Sequence, residues 1–414
     1  MKIQAQSVCF FLGILLLSPC AWAQQSCGPE FQEFRSLLKC IEQNSPRILE
    51  AQASKHQAQA LPAQARQWMN PTFNLNTLYS IPNNPDGHQV QGSLQFPLDL
   101  SRIRESREKK AWLEQKELTL HASLESQSVL TQSYLDLHRI RELTQQIQLL
   151  EDTQKTLKNL LQTFEHRPRL SADQETTRES LTLALEENKN RLELEKLEQH
   201  SLVHHIEMEI NASWSGSLGS LPPAPSRWPR LPTELKTDQS LPLQRVKAHA
   251  EKQEQALAVL QAEKNPIPLV GPYLGYSTLP GAMGFQVGVV LTMPLPVVES
   301  YAGSLELASR TSARAQLMEA MEKRRQHGEI EHSKEVYTQT VARLTQMQSQ
   351  ALVSQRIERL GQLFSQGLIS GLGFLEAMRQ NLLLVQSHDE LEIKALESWC
   401  QIQVLQNQIE DCFL

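Results

Sequence analysis

The sequence predicts a mainly α chain with membrane-type β-strands: duplicated long α-helical hairpins, each accompanied by a pair of short strands. Three observations carry this. Proline is absent between Pro97 and Pro168 and again after Pro296, although the 414 residues contain 21 prolines. Motifs of the first half recur in the same order in the second, about 195 to 200 residues later, which is the signature of an internal repeat. Two short segments, Gln89–Phe96 and Phe285–Met293, alternate apolar and polar residues with period two, and each has a less regular partner, Phe73–Ser80 (broken at Leu78) and Leu269–Ser277. The composition agrees. Aromatic residues make up only 6%, few for the several conventional cores that this length would otherwise hold. A net charge of −6 and a pI near 6.1 leave no basic excess for nucleic acid.

Residues 1–23 read as a secretory signal, with Lys2 as the positive start, Val8 to Leu17 as the apolar core and Ala21-Trp22-Ala23 as the cleavage site. Leu17-Ser18-Pro19-Cys20 resembles a lipidation signal, but proline directly before the cysteine fits that motif poorly. No later run reaches the roughly 18 apolar residues of a membrane helix, so any bilayer crossing has to use a closed barrel.

The first structural repeat, 24–211, begins with a helical stretch from Ser45-Pro46 to Asn70-Pro71, bounded by a start proline and an Asn-Pro stop. A strand pair follows over 73–97. In its second member Val90, Leu94 and Phe96 face one way, while Gln89, Gln91, Ser93 and Gln95 face the other. That pattern suits a strand between lipid and water. Ile81–His88 supplies the turn formers between the two. The proline-free run then places Leu130, Tyr134, Leu137, Ile140, Leu143, Ile147, Leu150, Leu157, Leu161 and Phe164 on one helical seam. At about 67 residues and 1.5 Å per residue it would span about 100 Å. Its tip lies near 165–171, where Ser171 is placed to cap the returning helix.

Residues 212–241 form a linker rich in proline (Pro222, Pro223, Pro225, Pro229, Pro232). The second repeat, 242–414, has a helix from Pro242 to Asn265-Pro266 and a strand pair over 269–294. Pro272 interrupts the first strand of that pair. Phe285, Val287, Val289, Leu291 and Met293 share a face of the second. The next helical run continues through Tyr337, Val341, Leu344, Met347 and Ala351 to Phe364, with its tip near 366–370, where Ser370 is placed to cap the returning helix. Four strands cannot close a barrel, so the membrane reading requires an oligomer.

After cleavage Cys27, Cys40, Cys400 and Cys412 remain, and three pairings are open in an oxidising compartment. On one continuous helix Cys400 and Cys412 would lie about 18 Å apart, beyond the roughly 7 Å reach of a disulfide. Joining Cys27 to Cys412 and Cys40 to Cys400 would suit antiparallel neighbours. One local bridge or free buried thiols is an equal alternative.

The Asn-Pro before each strand pair, the Pro97-Leu98 and Pro294-Leu295 junctions and Phe364-x-x-Gly367-x-x-Ser370 together resemble the TolC-type outer-membrane factor family. The resemblance covers the whole mature chain and rests on order and spacing. It implies a homotrimer with a trimeric α-barrel and a shared 12-stranded transmembrane β-barrel. It also implies a place in the outer membrane, extending into the periplasm. The function implied is the exit duct of a tripartite efflux pump or type I secretion system. The implied partners are a periplasmic adaptor protein, an inner-membrane pump of RND or ABC type and outer-membrane lipid.

Within that resemblance, Arg169, Leu170 and Ser171 at the first tip and Gly367, Leu368, Ile369 and Ser370 at the second correspond to adaptor-docking tips. Tunnel-gate candidates are Asp173, Arg178, Phe364 and Glu376. Glu376 matches one acidic ring position, and Gly373 occupies the other. Asp173 with Arg178 resembles the family's Asp-x-x-x-x-Arg. Phe364 and Ile369 stand where the family has a tyrosine and an arginine, so the hydroxyl and the charge of that lock are replaced. The plain alternative for Asp173 and Glu376 is a solvated carboxylate near a helix start.

Nothing in the sequence suggests catalysis, a cofactor or a metal. His204-His205 are adjacent, so their rings diverge on a helix, and there is no phosphate loop, nucleophile elbow or CxxC. Two other classes compete with the duct. A periplasmic adaptor would carry one hairpin between lipoyl-like half-motifs, and this chain has two hairpins without such flanks. A secreted coiled-coil structural protein would leave the alternating strands unexplained.

Overall fold

The computed structural model describes residues 33–79, 88–165, 169–214, 218–232, 240–279, 282–293, 301–347 and 350–413. The signal segment, Cys27, Pro168 and the strand-to-helix junction at Pro294-Leu295 lie outside the described residues.

Three short helices open the described chain: α1 (Phe34–Asn44), α2 (Pro46–Ala58) and α3 (Leu61–Ala65). Ser45 caps α2, accepting a hydrogen bond from the Ile48 amide, and Pro46 occupies the first turn, where its missing N–H costs nothing. The helical stretch expected up to Asn70 is divided. A turn at Gln59-Ala60 separates α2 from α3, and Pro62 starts the second piece.

Four strands form one antiparallel sheet in the order β1-β2-β3-β4: β1 Thr72–Tyr79, β2 His88–Pro97, β3 Leu269–Leu279 and β4 Ala282–Thr292. The strands of the two halves meet where β2 pairs with β3, for example Gln89 with Ser277 and Phe96 with Val270. Pro272 does not interrupt β3; the strand runs through it. The β2–β3 pairing lapses only opposite Gly271-Pro272, where proline has no N–H to give. Gly271 lets the two backbones approach there, since a side chain would collide with the Leu94 carbonyl.

The helices leave the sheet in one direction. α4 (Ile103–Glu165) is continuous over 63 residues, about 95 Å at 1.5 Å per residue. Asp99 starts it, its carboxylate accepting from the amides of Ile103 and Arg104. α5 (Ala172–Ile210) returns along α4 and ends on Asn211 in the left-handed conformation. α6 (Leu241–Glu263) leads to β3 and packs against α4 and α7. The second long run is not continuous: α7 (Ala302–Gln346) ends at an extended Met347, and α8 (Gln350–Ser365) resumes before α9 (Gly371–Leu405) returns. No described helix is long and apolar enough to cross a membrane.

The apolar seam of α4 is the spine of the core. Tyr134, Leu137 and Ile140 are buried among Leu37 and Ile41 of α1, Ile206 of α5, Tyr337 of α7 and Leu396 and Trp399 of α9. Trp214 and Trp228, both in the linker, close this waist. The Trp214 indole donates to Ser220 Oγ, and Trp228 lies edge-on to Tyr337. A second cluster near the tips joins Leu157, Leu160, Phe164, Leu181, Phe374 and Met378.

The disulfide arrangement differs from the antiparallel cross-pairing. Cys400 bonds to Cys412, with a Cα–Cα separation of 4.7 Å. The two do not share a helix. α9 stops at Leu405, Asn407 takes a positive φ of 60°, and a 3-10 turn over Ile409–Cys412 folds back on it. Trp399 Nε1 donates to the Asp411 carbonyl and holds the return in place. Cys40 is disulfide-bonded as well.

Candidate functional site

The two hairpin tips are built by the same capping logic. Ser171 begins α5 with a capping box: its hydroxyl accepts from the Gln174 amide, and the Gln174 side chain accepts from the Ser171 amide. Ser370 begins α9 and accepts from the Gly373 amide at 3.1 Å. Before it, α8 closes on Gly367 at φ 73°, with Leu368 N–H donating to Leu363 O and Gly367 N–H to Phe364 O. That is a Schellman ending, which requires the left-handed residue that glycine supplies. Gly371 then lies directly against Thr177 of α5. A Cβ on Gly371 would stand 2.2 Å from the Thr177 methyl, so the starts of α5 and α9 are in contact.

The tip candidates separate into two sets. Leu170 and Ile369 pack against the apolar cluster, whereas Leu368 and Leu372 are largely exposed, at 67% and 61%. Arg169, Ser171, Gly367 and Ser370 are exposed.

Among the described residues, the gate candidates are not joined to one another by any hydrogen bond or ion pair. Asp173 is exposed in the first turn of α5. Arg178 pairs with Glu179 at 2.8 Å and Glu175 at 3.8 Å, and these bonds hold its guanidinium above its ordinary pKa. Phe364 stacks on the buried Phe374, ring centroids 5.3 Å apart, as part of the tip core. Glu376 is exposed and accepts from Gln380.

Higher up, the structure assembles a buried polar cluster that the sequence reading did not single out. The Arg141 guanidinium donates to Glu392 of α9, to His138 Nδ1 at 3.0 Å and to the Pro222 carbonyl. Gln146 donates to Asp389 at 2.6 Å. Glu142 is 1% exposed. Burial, followed by the charges of Asp389 and Glu392, pushes its pKa up to about 9. Burial, followed by the Arg141 charge, pushes His138 down to about 3. At neutral pH both are uncharged, so the charge in this cluster rests on the arginine and its α9 partners. Helical spacing carried a usable signal. Tyr134, Leu137 and Arg141 follow one seam by steps of three and four, as do Val385, Asp389, Glu392 and Leu396. Charges at seam positions mark a buried network.

On the sheet, apolar side chains point outward along their whole length. Phe285, Val287 and Val289 are 82%, 78% and 77% exposed, and Phe73, Leu75 and Leu274 share this exposure. Gln95 and Ser277 turn the other way and are buried. Within the described residues β1 and β4 each pair on one side only. Exposed leucines also recur along α5 at Leu183, Leu194 and Leu197, and on α7 at Leu307 and Leu317. Such patches exceed what a soluble monomer normally leaves to water. No group of three or more metal-ligating side chains occurs among the described residues.

No protein-family model matches the chain, and no curated protein matches it in sequence. Solved structures do match. The outer-membrane channel OprN aligns with a TM-score of 0.74 at 12% identity, covering 91% of this chain and 90% of that one. The CmeC outer-membrane channel of Campylobacter jejuni aligns at 0.70 and 13% identity, covering 91% and 86%. The outer-membrane protein VceC of Vibrio cholerae aligns at 0.68 and 14% identity, covering 90% and 95%. Over nearly its whole length, this chain therefore has the fold of the TolC-type outer-membrane channels.

Proposed function

We propose that the chain is the outer-membrane channel of a tripartite efflux or secretion assembly. In this reading it is a passive homotrimeric duct that carries solutes from an inner-membrane transporter across the periplasm and outer membrane. One observation carries the reading: a four-stranded sheet with open edges and a lipid-like outer face is joined to a helix of about 95 Å. An open sheet edge is untenable in lipid. Three copies side by side would pair β4 of one with β1 of the next and close twelve strands, while the exposed leucine stripes of α5 and α7 would pack between protomers. The solved structures that share its fold are outer-membrane channels, which supports the same role.

In this reading 1–23 direct export, the two repeats 24–211 and 242–414 supply the walls, and 212–241 wraps the waist. The tips meet a periplasmic adaptor, with Leu368 as the exposed apolar contact and Gly367 and Ser370 holding its shape. Asp173, Arg178 and Glu376 ring the aperture as solvated charges. The lumen is a conduit, so no catalytic residue is assigned.

Heat-resistant trimers in the outer-membrane fraction, together with drug or metal sensitivity on gene deletion, are the expected results. A soluble periplasmic monomer would overturn the reading. Replacing Leu368 with Asp should abolish efflux and leave the trimer intact; undiminished efflux in that variant removes the docking role of the second tip.

A further inference from the structure

Between α4, α5 and α9, just above the tips, runs a crevice of about 310 Å³. About half of the side chains lining it are apolar, including Leu157, Ala184, Leu375 and Met378. Two polar side chains sit in its lining without a hydrogen-bond partner: Asn188, at both amide atoms, and Thr153, at its hydroxyl. Asn188 is 6% exposed and Thr153 1%. A buried amide without a partner is disfavoured, and native structures rarely keep one for no reason. The rim carries both signs of charge, Glu187 and Glu376 against Arg191 and Arg379. A cleft of this size that combines apolar surface with converging polar groups matches the ordinary form of a small-molecule site.

We propose that this crevice binds a neutral amphipathic molecule: an apolar, aromatic-sized body carrying a carboxamide or sulfonamide group. Asn188 offers a donor and an acceptor side by side, and the complementary ligand group is one that also carries both. Thr153 serves either way. The balanced rim selects against net charge. Because the amide atoms are shut from bulk solvent by the packed helices, a ligand that reaches them wedges the seam between the first hairpin and α9. Binding itself does not depend on the duct reading; its effect on the position of α9 does.

The test uses the full chain in lipid nanodiscs, titrated with dansylamide, whose fluorescence shifts to the blue in apolar surroundings and whose sulfonamide both donates and accepts. Saturable binding with a blue shift is expected after subtraction of empty nanodiscs. N188L should weaken it at least tenfold without lowering the thermal midpoint, since an unpartnered amide is replaced by an apolar side chain. T153V, nearly identical in shape, should weaken it severalfold and guards against misfolding of the first variant. A184W should abolish binding by filling the cleft. Absence of saturable binding, or equal affinity in wild type, N188L and T153V, overturns the proposal and leaves the crevice to water or a neighbouring subunit. Trimer formation and efflux are scored separately, so failure here is distinct from failure of the duct reading.

Discussion

At the scale of single residues, the most consequential feature is that Glu142 and His138 are both held uncharged beside Arg141. The unfolded chain releases the Glu142 proton near pH 4.5 and the folded one near 9. Between those values the native state binds the extra proton, so stability falls as pH rises through that window. His138 works in the opposite direction: unfolded it titrates near 6.5 and folded near 3, so stability falls as pH drops from 6.5 to 3. Each limb has a slope of at most about 1.4 kcal/mol per pH unit. Thermal midpoints should therefore peak between pH 4.5 and 6.5, where the two slopes oppose. Glu142→Gln should flatten the alkaline limb; a variant that still loses stability as wild type does above pH 6.5 would refute the assignment. Gly371 is the second sensitive position. Gly371→Leu has to displace Thr177 and should lower stability by about 1–3 kcal/mol. Crosslinking between engineered cysteines on α5 and α9 at the tips should fall with it.

At the scale of elements, capping residues decide where long helices turn. Ser171 and Ser370 were legible from sequence because a serine after a break and before a helical run has one evident use. Replacing both with Ala should cost about 1 kcal/mol each. The loss should appear as faster amide exchange confined to the first turns of α5 and α9; uniform exchange along the helices would refute it. The Cys400–Cys412 bridge was not legible. Its reading depended on whether α9 continued, and the positive φ of Asn407 that ends it is a local event with a weak sequence signal. A loop of this length contributes about 3 kcal/mol in the chain-entropy account. Cys412→Ser should lower the thermal midpoint, and reductant should then change it less than in wild type. The division of the second long run at Met347 was likewise hidden, since no proline or glycine marks it.

At the scale of the whole molecule, the outward apolar face of the sheet is the surface that the proposed trimeric duct would turn to lipid. Val289, 77% exposed on the outward face of β4, should not tolerate charge. In the proposed barrel, Val289→Arg would cost up to about 2–4 kcal/mol per protomer. Trimer in the outer-membrane fraction should drop sharply, whereas Gln91→Arg, facing the interior, should leave it. Equal trimer levels in the two variants would argue against a lipid-facing sheet. The alternation that predicted this face survived into the structure because period two leaves a strand no freedom to choose which residues share a side.

The sequence by itself determined the periodicities: long seams without proline, short strands with one apolar face, serine caps and the repeat of these parts. Those are local properties, set by residue spacing and backbone sterics. Tertiary structure alone decided which elements meet. It placed β2 beside β3 and joined the two halves in one sheet. It brought Glu392 to Arg141 and Asp389 to Gln146 across more than 240 residues of chain, and it closed Cys400 onto Cys412. It also left Asn188 buried without a partner. Each of these depends on how segments pack against one another, and spacing along the chain, which marks a buried position, does not say which partner that position meets.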